Sequence, residues 1–345
     1  MASKMQFAAL RERPLRARWV TAIALFAVAG ARGPAALASE SSDWQHFASK
    51  MAATRAQLVD HFREIDARSG MAAILQVRLD AESGEFGAAA RPQWLSAALY
   101  LEYAQAVADL DGRLIAQLAG GRTQPLHAIR GMDDIAFRSV ADGKLQPAGV
   151  FVPPSYDPRT PAPLVIFLHG YTQTEADEIA SPWIRQAAAS TGSIVIAPYA
   201  RGDSHYAQPA PREIYQLVEL AQRELNIDKK RVYLAGHSMG GFGVFDVGRV
   251  HPEMWSALLC ASGALTEANR EASLQAFHDK PVYVVQGSDD STVPAEYARR
   301  TVEALRSARI HTAYYEEPGG RHAIGTIRNA FVKAWTDMLK GVMSS

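Results

Sequence analysis

Gly236, Ser238 and Gly240 set a serine between two glycines, each two positions away. The run before them, Val232-Tyr233-Leu234-Ala235, is apolar and rich in β-formers, the pattern of a buried parallel strand. After them Phe245, Val247 and Val250 continue a helical pattern. Strand, Gly-x-Ser-x-Gly, helix is the context in which a serine on a sharp turn becomes a nucleophile. Such a turn leaves no room for neighbouring side chains, so Gly236 and Gly240 let backbone pass close. It also places Ser238 at a helix N-terminus, where free N–H groups favour developing negative charge. A Gly-rich strand-to-helix turn without chemistry has the same local pattern, so the reading depends on what the rest of the chain supplies.

A serine hydroxyl attacks at neutral pH only if a base takes its proton, and that base needs a third group to fix its tautomer. Both partners are expected from loops at the carboxyl ends of later strands, in the chain order serine, acid, histidine. After the strand ending Val284-Val285-Gln286 come Gly287-Ser288-Asp289-Asp290, and Asp290 is the expected acid with Asp289 as runner-up. After the strand ending Tyr314-Tyr315 come Glu316-Glu317-Pro318-Gly319-Gly320-Arg321-His322. Of ten histidines, His322 follows the acid on a Gly-rich loop at a strand end, whereas His46, His61, His127, His251, His278 and His311 fall in helices, linkers or strand starts.

An oxyanion needs two N–H donors. The backbone of Met239, directly after the serine, is one candidate. The other is Tyr171 in the turn Leu168-His169-Gly170-Tyr171 that closes an earlier apolar strand. His169 is expected to hydrogen-bond within that turn, with no proton-transfer role. The segment Tyr199-Ala200-Arg201-Gly202-Asp203-Ser204-His205-Tyr206 follows a strand end and either lines the substrate cleft or is a solvated loop.

The elements that must position these residues alternate. A strand at 135–140, a turn at 141–144 and a strand at 146–152 read as a hairpin. Strands at 163–168, 193–197, 231–236, 257–261, 281–286 and 311–315 then alternate with helices at 184–189, 214–225, 295–306 and 324–339. The expected fold is α/β: a mostly parallel, doubly wound sheet opened by an antiparallel hairpin. Upstream, Trp44 to Ile65 and Trp94 to Leu118 form two amphipathic helical stripes, read as helices packed on the main domain.

The chain has 345 residues, 48% hydrophobic and 21% charged, with a formal net charge of zero, which gives no reason to expect nucleic acid or an anionic membrane as partner. One cysteine, Cys260, excludes an intrachain disulfide and reads as a small buried hydrophobe. No His/Asp/Glu cluster has ligand spacing, so no metal and no cofactor is expected. At the N-terminus Lys4, Arg11, Arg13, Arg16 and Arg18 precede an apolar run at 19–29, and Ala36-Leu37-Ala38 comes before Ser39. That is a signal-peptide layout, which implies export to the periplasm or the medium and no stable membrane span after cleavage.

Together, Gly236-His237-Ser238-Met239-Gly240-Gly241, Leu168-His169-Gly170, Asp290-x-x-Val293-Pro294 after Gly287, and Gly319-Gly320-x-His322 resemble the α/β-hydrolase superfamily over residues 130–345. The stretches 142–158 and 163–170 are similar to secreted esterases of the polyhydroxybutyrate-depolymerase and feruloyl-esterase type, and to the catalytic domain of prolyl-oligopeptidase-like proteins. The resemblance implies Ser238 as nucleophile, Asp290 as acid and His322 as base. With the N-terminal layout and the two helical stripes, the expected division is a signal peptide over 1–38, a helical extension over 39–125 and an α/β-hydrolase domain over 126–345. The expected reaction is hydrolysis of a small or polymer-borne carboxylic ester. A peptidase, or a binding protein on the same fold, is the alternative.

Overall fold

Strand formation follows the apolar runs, and a period-two alternation decides which side chains face which layer. In the computed structural model, which describes residues 92, 94–119 and 124–343, eight strands form a single sheet. They are β1 (Gly131–Arg138), β2 (Leu145–Val152), β3 (Ala162–Leu168), β4 (Ile194–Pro198), β5 (Ile227–His237), β6 (Ala257–Ala261), β7 (Val282–Gly287) and β8 (Thr312–Glu317). Their order is β1-β2-β4-β3-β5-β6-β7-β8. β1 and β2 form the expected antiparallel hairpin, and β2 also runs antiparallel to β4. All remaining pairings are parallel.

The helices are α1 (Ala97–Ala119), α2 (Glu175–Ala180), α3 (Pro182–Thr191), α4 (Ala210–Glu224), α5 (Met239–Gly248), α6 (Arg270–Ala276), α7 (Ala295–Ser307) and α8 (Arg328–Lys340). Two apolar layers cover the sheet. Leu164, Ile166 and Leu168 of β3 face one layer with Leu217 of α4, Val244 of α5 and Val302 of α7. Val165 and Phe167 face the other with Ile179 of α2, Ile184 of α3 and Trp335 of α8. Each central strand is therefore apolar on both sides, as a parallel sheet between helices requires. Cys260 is fully buried within β6, and burial pushes its thiol up to about 12.

The helical stripe at 94–118 is realised as α1, which packs on β1 and α2. Arg113 Nη1 donates to the Met132 carbonyl at 2.6 Å and Gln117 Nε2 to that of Asp134 at 2.9 Å. The signal peptide and the helical stripe at 44–65 lie outside the described residues. Two short helices, α2 and α6, were not expected. α2 opens on a capping box in which Thr174 and Asp177 satisfy each other's backbone N–H. No helix among the described residues is long and apolar enough to cross a membrane.

Candidate active site

β5 runs straight into α5 through one residue, Ser238, at φ 53° and ψ −117°. A non-glycine residue held there costs on the order of 1–3 kcal/mol and persists because the surroundings over-determine it. The Ser238 N–H donates to the Ala261 carbonyl at the end of β6 (2.9 Å), and the Ser238 carbonyl accepts from Phe242 N (3.0 Å). Both motif glycines are required by space. A Cβ on Gly236 would overlap the Gly240 carbonyl. One on Gly240 would overlap the Leu168 carbonyl and come within 2.8 Å of the His169 oxygen. The end of β3 therefore lies directly against the start of α5.

The loops after β7 and β8 bring the predicted acid and base to this turn. His322 Nε2 lies 2.8 Å from Ser238 Oγ, and His322 Nδ1 lies 2.8 Å from Asp290 Oδ2. A carboxylate only accepts, so Nδ1 carries the proton and Nε2 presents its lone pair to the serine hydroxyl. Asp290 Oδ1 accepts the backbone N–H groups of Thr292 and Val293, each at 2.9 Å, and Oδ2 also accepts from Gln286 Nε2 at 3.0 Å. Burial pushes the Asp290 carboxyl up, but the hydrogen bonds it accepts from His322, Val293 and Thr292, with the electrostatic pull of the imidazole, outweigh this and hold it below the usual range. Asp289 is exposed and accepts from Ser288 Oγ. The two adjacent aspartates thus separate by side: Asp290 faces the histidine and Asp289 faces solvent.

Met239 is the first residue of α5, so its N–H has no acceptor within the helix. The Tyr171 N–H makes no hydrogen bond to a described residue. His169 bonds within its turn through Nδ1, 2.8 Å from the Gly170 carbonyl, and also outside it through Nε2, 2.9 Å from the carbonyl of Tyr199. The 199–206 segment packs on this turn. Asp203 Oδ1 accepts from Thr172 N at 2.7 Å, Tyr206 Oη donates to the His169 carbonyl at 2.8 Å, and the His205 ring stacks on Tyr171 at 5.9 Å. Arg201 ties the segment to the hairpin turn through Asp142 and to α4 through Glu213. Among the described residues no group of three or more His, Cys, Asp or Glu could hold a metal ion.

The structure adds three contributors that residue patterning did not single out: Gln286 on Asp290, Asp203 on the Tyr171 turn, and His237, which contacts the His322 loop. Gln286 had a visible signal, a polar residue closing an otherwise apolar strand. His237 sits inside the motif and reads there as a spacer. Asp203 lies in the 199–206 segment named above, but its acceptor role depends on two loops meeting and has no signal of its own in sequence.

The model of the Esterase family matches residues 143–338, more than half of the chain. A bifunctional acetylxylan esterase/xylanase from Neocallimastix patriciarum is 27% identical over 197 residues, 56% of this chain and 28% of that protein, so the chain spans under a third of this relative's length. A mutant of the feruloyl esterase module from Clostridium thermocellum, complexed with sinapinate, superposes with a TM-score of 0.53 at 15% identity, covering 65% of this chain and 95% of that one. A substrate-bound, fluorophosphonate-binding serine hydrolase from Staphylococcus aureus gives 0.52 at 17% identity, covering 61% and 98%. At such identities these two likenesses are of fold, and the fold is that of the α/β-hydrolases. The family match over most of the sheet decides the identity: the chain belongs to the Esterase family.

Proposed function

We propose that the protein cleaves carboxylic esters through an acyl-enzyme formed on Ser238. The observation that carries the reading is the hydrogen-bonded chain from Ser238 Oγ through His322 to the buried Asp290, built on a strained turn. His322 Nε2 takes the proton as Oγ attacks the acyl carbon, and Asp290 holds the imidazole in the tautomer that can do so. The negative charge on the tetrahedral oxygen meets the N–H groups of Met239 and Tyr171, each such donor being worth on the order of 10²-fold or more in rate. His322 returns its proton to the departing alcohol as the C–O bond breaks. It then takes a proton from water, whose oxygen attacks the acyl carbon, and the carboxylic acid leaves as Ser238 regains its hydrogen.

Between β6 and β7 the chain places only the seven-residue α6, too little for a large lid. An open site suits a small ester or one carried on a polymer, such as an acyl group on a polysaccharide, and the acetylxylan esterase among the relatives points the same way. Export follows from the basic and apolar N-terminal layout. An unprocessed N-terminus on the protein recovered from every cell fraction would refute it.

The test is turnover of p-nitrophenyl esters of increasing acyl length, beside a chromogenic prolyl peptide, by wild type and Ser238→Ala. Ester turnover that vanishes in the folded variant supports the mechanism. Retained turnover sinks it, and serine-dependent peptide cleavage in place of ester cleavage would move the reading to a peptidase.

A further inference from the structure

His237 takes no part in the steps above, yet it stands between two loops of the site. Its ring is buried, with its centroid 5.0 Å from that of His322 at an angle of 45°. Nε2 lies 2.7 Å from the His322 backbone carbonyl. A carbonyl only accepts, so Nε2 carries the proton and donates it. Nδ1 is then a bare lone pair. It is buried without a hydrogen-bond partner on the side facing Gly170, where a Cβ would come within 3.4 Å of it. Burial, with the neighbouring His322 adding to it, pushes this imidazole down to about 4, so it is neutral at the pH where an ester hydrolase works.

The bond matters because of what it connects. The His322 loop leaves β8 through Pro318, Gly319 and Gly320, with Gly319 at φ 69°, a backbone of little intrinsic stiffness. Gly319 N donates to Ser288 Oγ at 2.8 Å and Asp289 N to the Gly320 carbonyl at 2.9 Å, which hold the loop's start against the loop after β7. Nearer the base, besides the ring's own bonds to Asp290 and Ser238, the backbone is held by Arg321 N to Thr326 Oγ1 at 2.9 Å, within the loop itself, and by Ser262 Oγ to the His322 carbonyl at a long 3.4 Å. His237 is the last residue of β5 and is bonded directly to Ser238. Its donation therefore ties the nucleophile's own strand to the backbone of the base.

We propose that His237 is a positioning residue: by donating from Nε2 to the His322 carbonyl it sets the height of the His322 loop above the elbow, and so the alignment of His322 Nε2 on Ser238 Oγ. This rests on the reading of Ser238 and His322 given above. Misplacing a reacting group by about 1 Å can cost on the order of 10²-fold in rate, so loss of one anchor that shifts the loop by part of that is expected to cost about tenfold.

The experiment compares His237→Gln with His237→Met. The two side chains have similar length, but only glutamine keeps an N–H near the position of Nε2. Each variant is measured for melting temperature and for kcat and KM on p-nitrophenyl acetate, with Ser238→Ala alongside. Expected are a Gln variant within about threefold of wild type and a Met variant about tenfold lower in kcat, with KM little changed and the two melting temperatures alike. Equal activity of the two variants, whether high or low, overturns the proposal, since the donor would then be irrelevant. If the Met variant does not fold, the Gln variant decides alone: activity within threefold upholds the proposal and a tenfold loss overturns it. Turnover surviving in Ser238→Ala would instead defeat the underlying mechanism, a result distinct from either.

Discussion

Asp290→Asn tests the acid by changing one atom. In the native site Oδ1 accepts two backbone N–H groups, while Oδ2 accepts from His322 Nδ1 and Gln286 Nε2. Asparagine has one acceptor and one donor end. Its oxygen must stay on Thr292 and Val293, because the reverse orientation sets an NH₂ against two N–H groups in a buried pocket. The new NH₂ then faces His322 Nδ1, which can satisfy it only by becoming the acceptor. The imidazole proton moves to Nε2, the lone pair that faced Ser238 Oγ is lost, and the serine has no base. A wrong-tautomer histidine in a serine–histidine–aspartate arrangement costs on the order of 10⁴-fold in kcat, about 5.5 kcal/mol of barrier. The same NH₂ also meets Gln286 Nε2, donor against donor, which costs about 1–3 kcal/mol of stability. Asp289→Asn alters an exposed carboxylate and is expected to stay within about twofold of wild type. The assay is kcat for p-nitrophenyl acetate at neutral pH, with urea unfolding of each variant to separate chemistry from stability. A folded Asp290→Asn enzyme retaining a tenth of wild-type kcat, or an Asp289→Asn variant that loses more, would refute the reasoning.

Two further outcomes follow from buried groups and close contacts. An unfolded histidine takes up a proton near pH 6.5, whereas folded His237 stays neutral down to about 4, so between these values the unfolded chain binds the extra proton. His237 therefore contributes its full stability above about 6.5 and loses it as pH falls toward 4, by up to about 3 kcal/mol. Urea unfolding of wild type and His237→Gln at pH 7.5 and 4.5 should show the variant losing less on acidification, and identical pH dependence would contradict this. Gly240→Ala drives a Cβ into the Leu168 and His169 carbonyls, which are backbone and cannot swing away. It should lower stability by about 3 kcal/mol or more and remove activity, and a variant with wild-type unfolding midpoint would show that the elbow and β3 are less tightly apposed.

The sheet was legible from the chain because β3, β4, β6, most of β7 and the second half of β5 are apolar runs punctuated by glycine, proline or a polar loop, and the helices between them keep a helical apolar period; the charged start of β5 at 228–231 gave no such signal. The helices α2 and α6 escaped that reading, being too short to show a period. For α2, the Thr174 and Asp177 cap was a readable start signal. The N-terminal division was legible as pattern only, since residues 1–91 lie outside the described part of the chain.

What the sequence by itself determined is local: a serine locked on a glycine-flanked strand-to-helix turn, and an acid and a histidine on loops that follow later strands. These are consequences of backbone sterics and of strand ends, both written in neighbouring residues. Only the tertiary structure decided which of two adjacent aspartates turns inward, that Gln286 and two backbone N–H groups hold it, and that the 199–206 segment braces the Tyr171 turn. It alone joined His237 to a carbonyl 85 residues further along. The physical reason is the sheet order. Parallel strands β5, β6, β7 and β8 lie side by side with their carboxyl ends together, so groups 84 and 32 residues apart come within one hydrogen bond. No spacing along the chain encodes that distance.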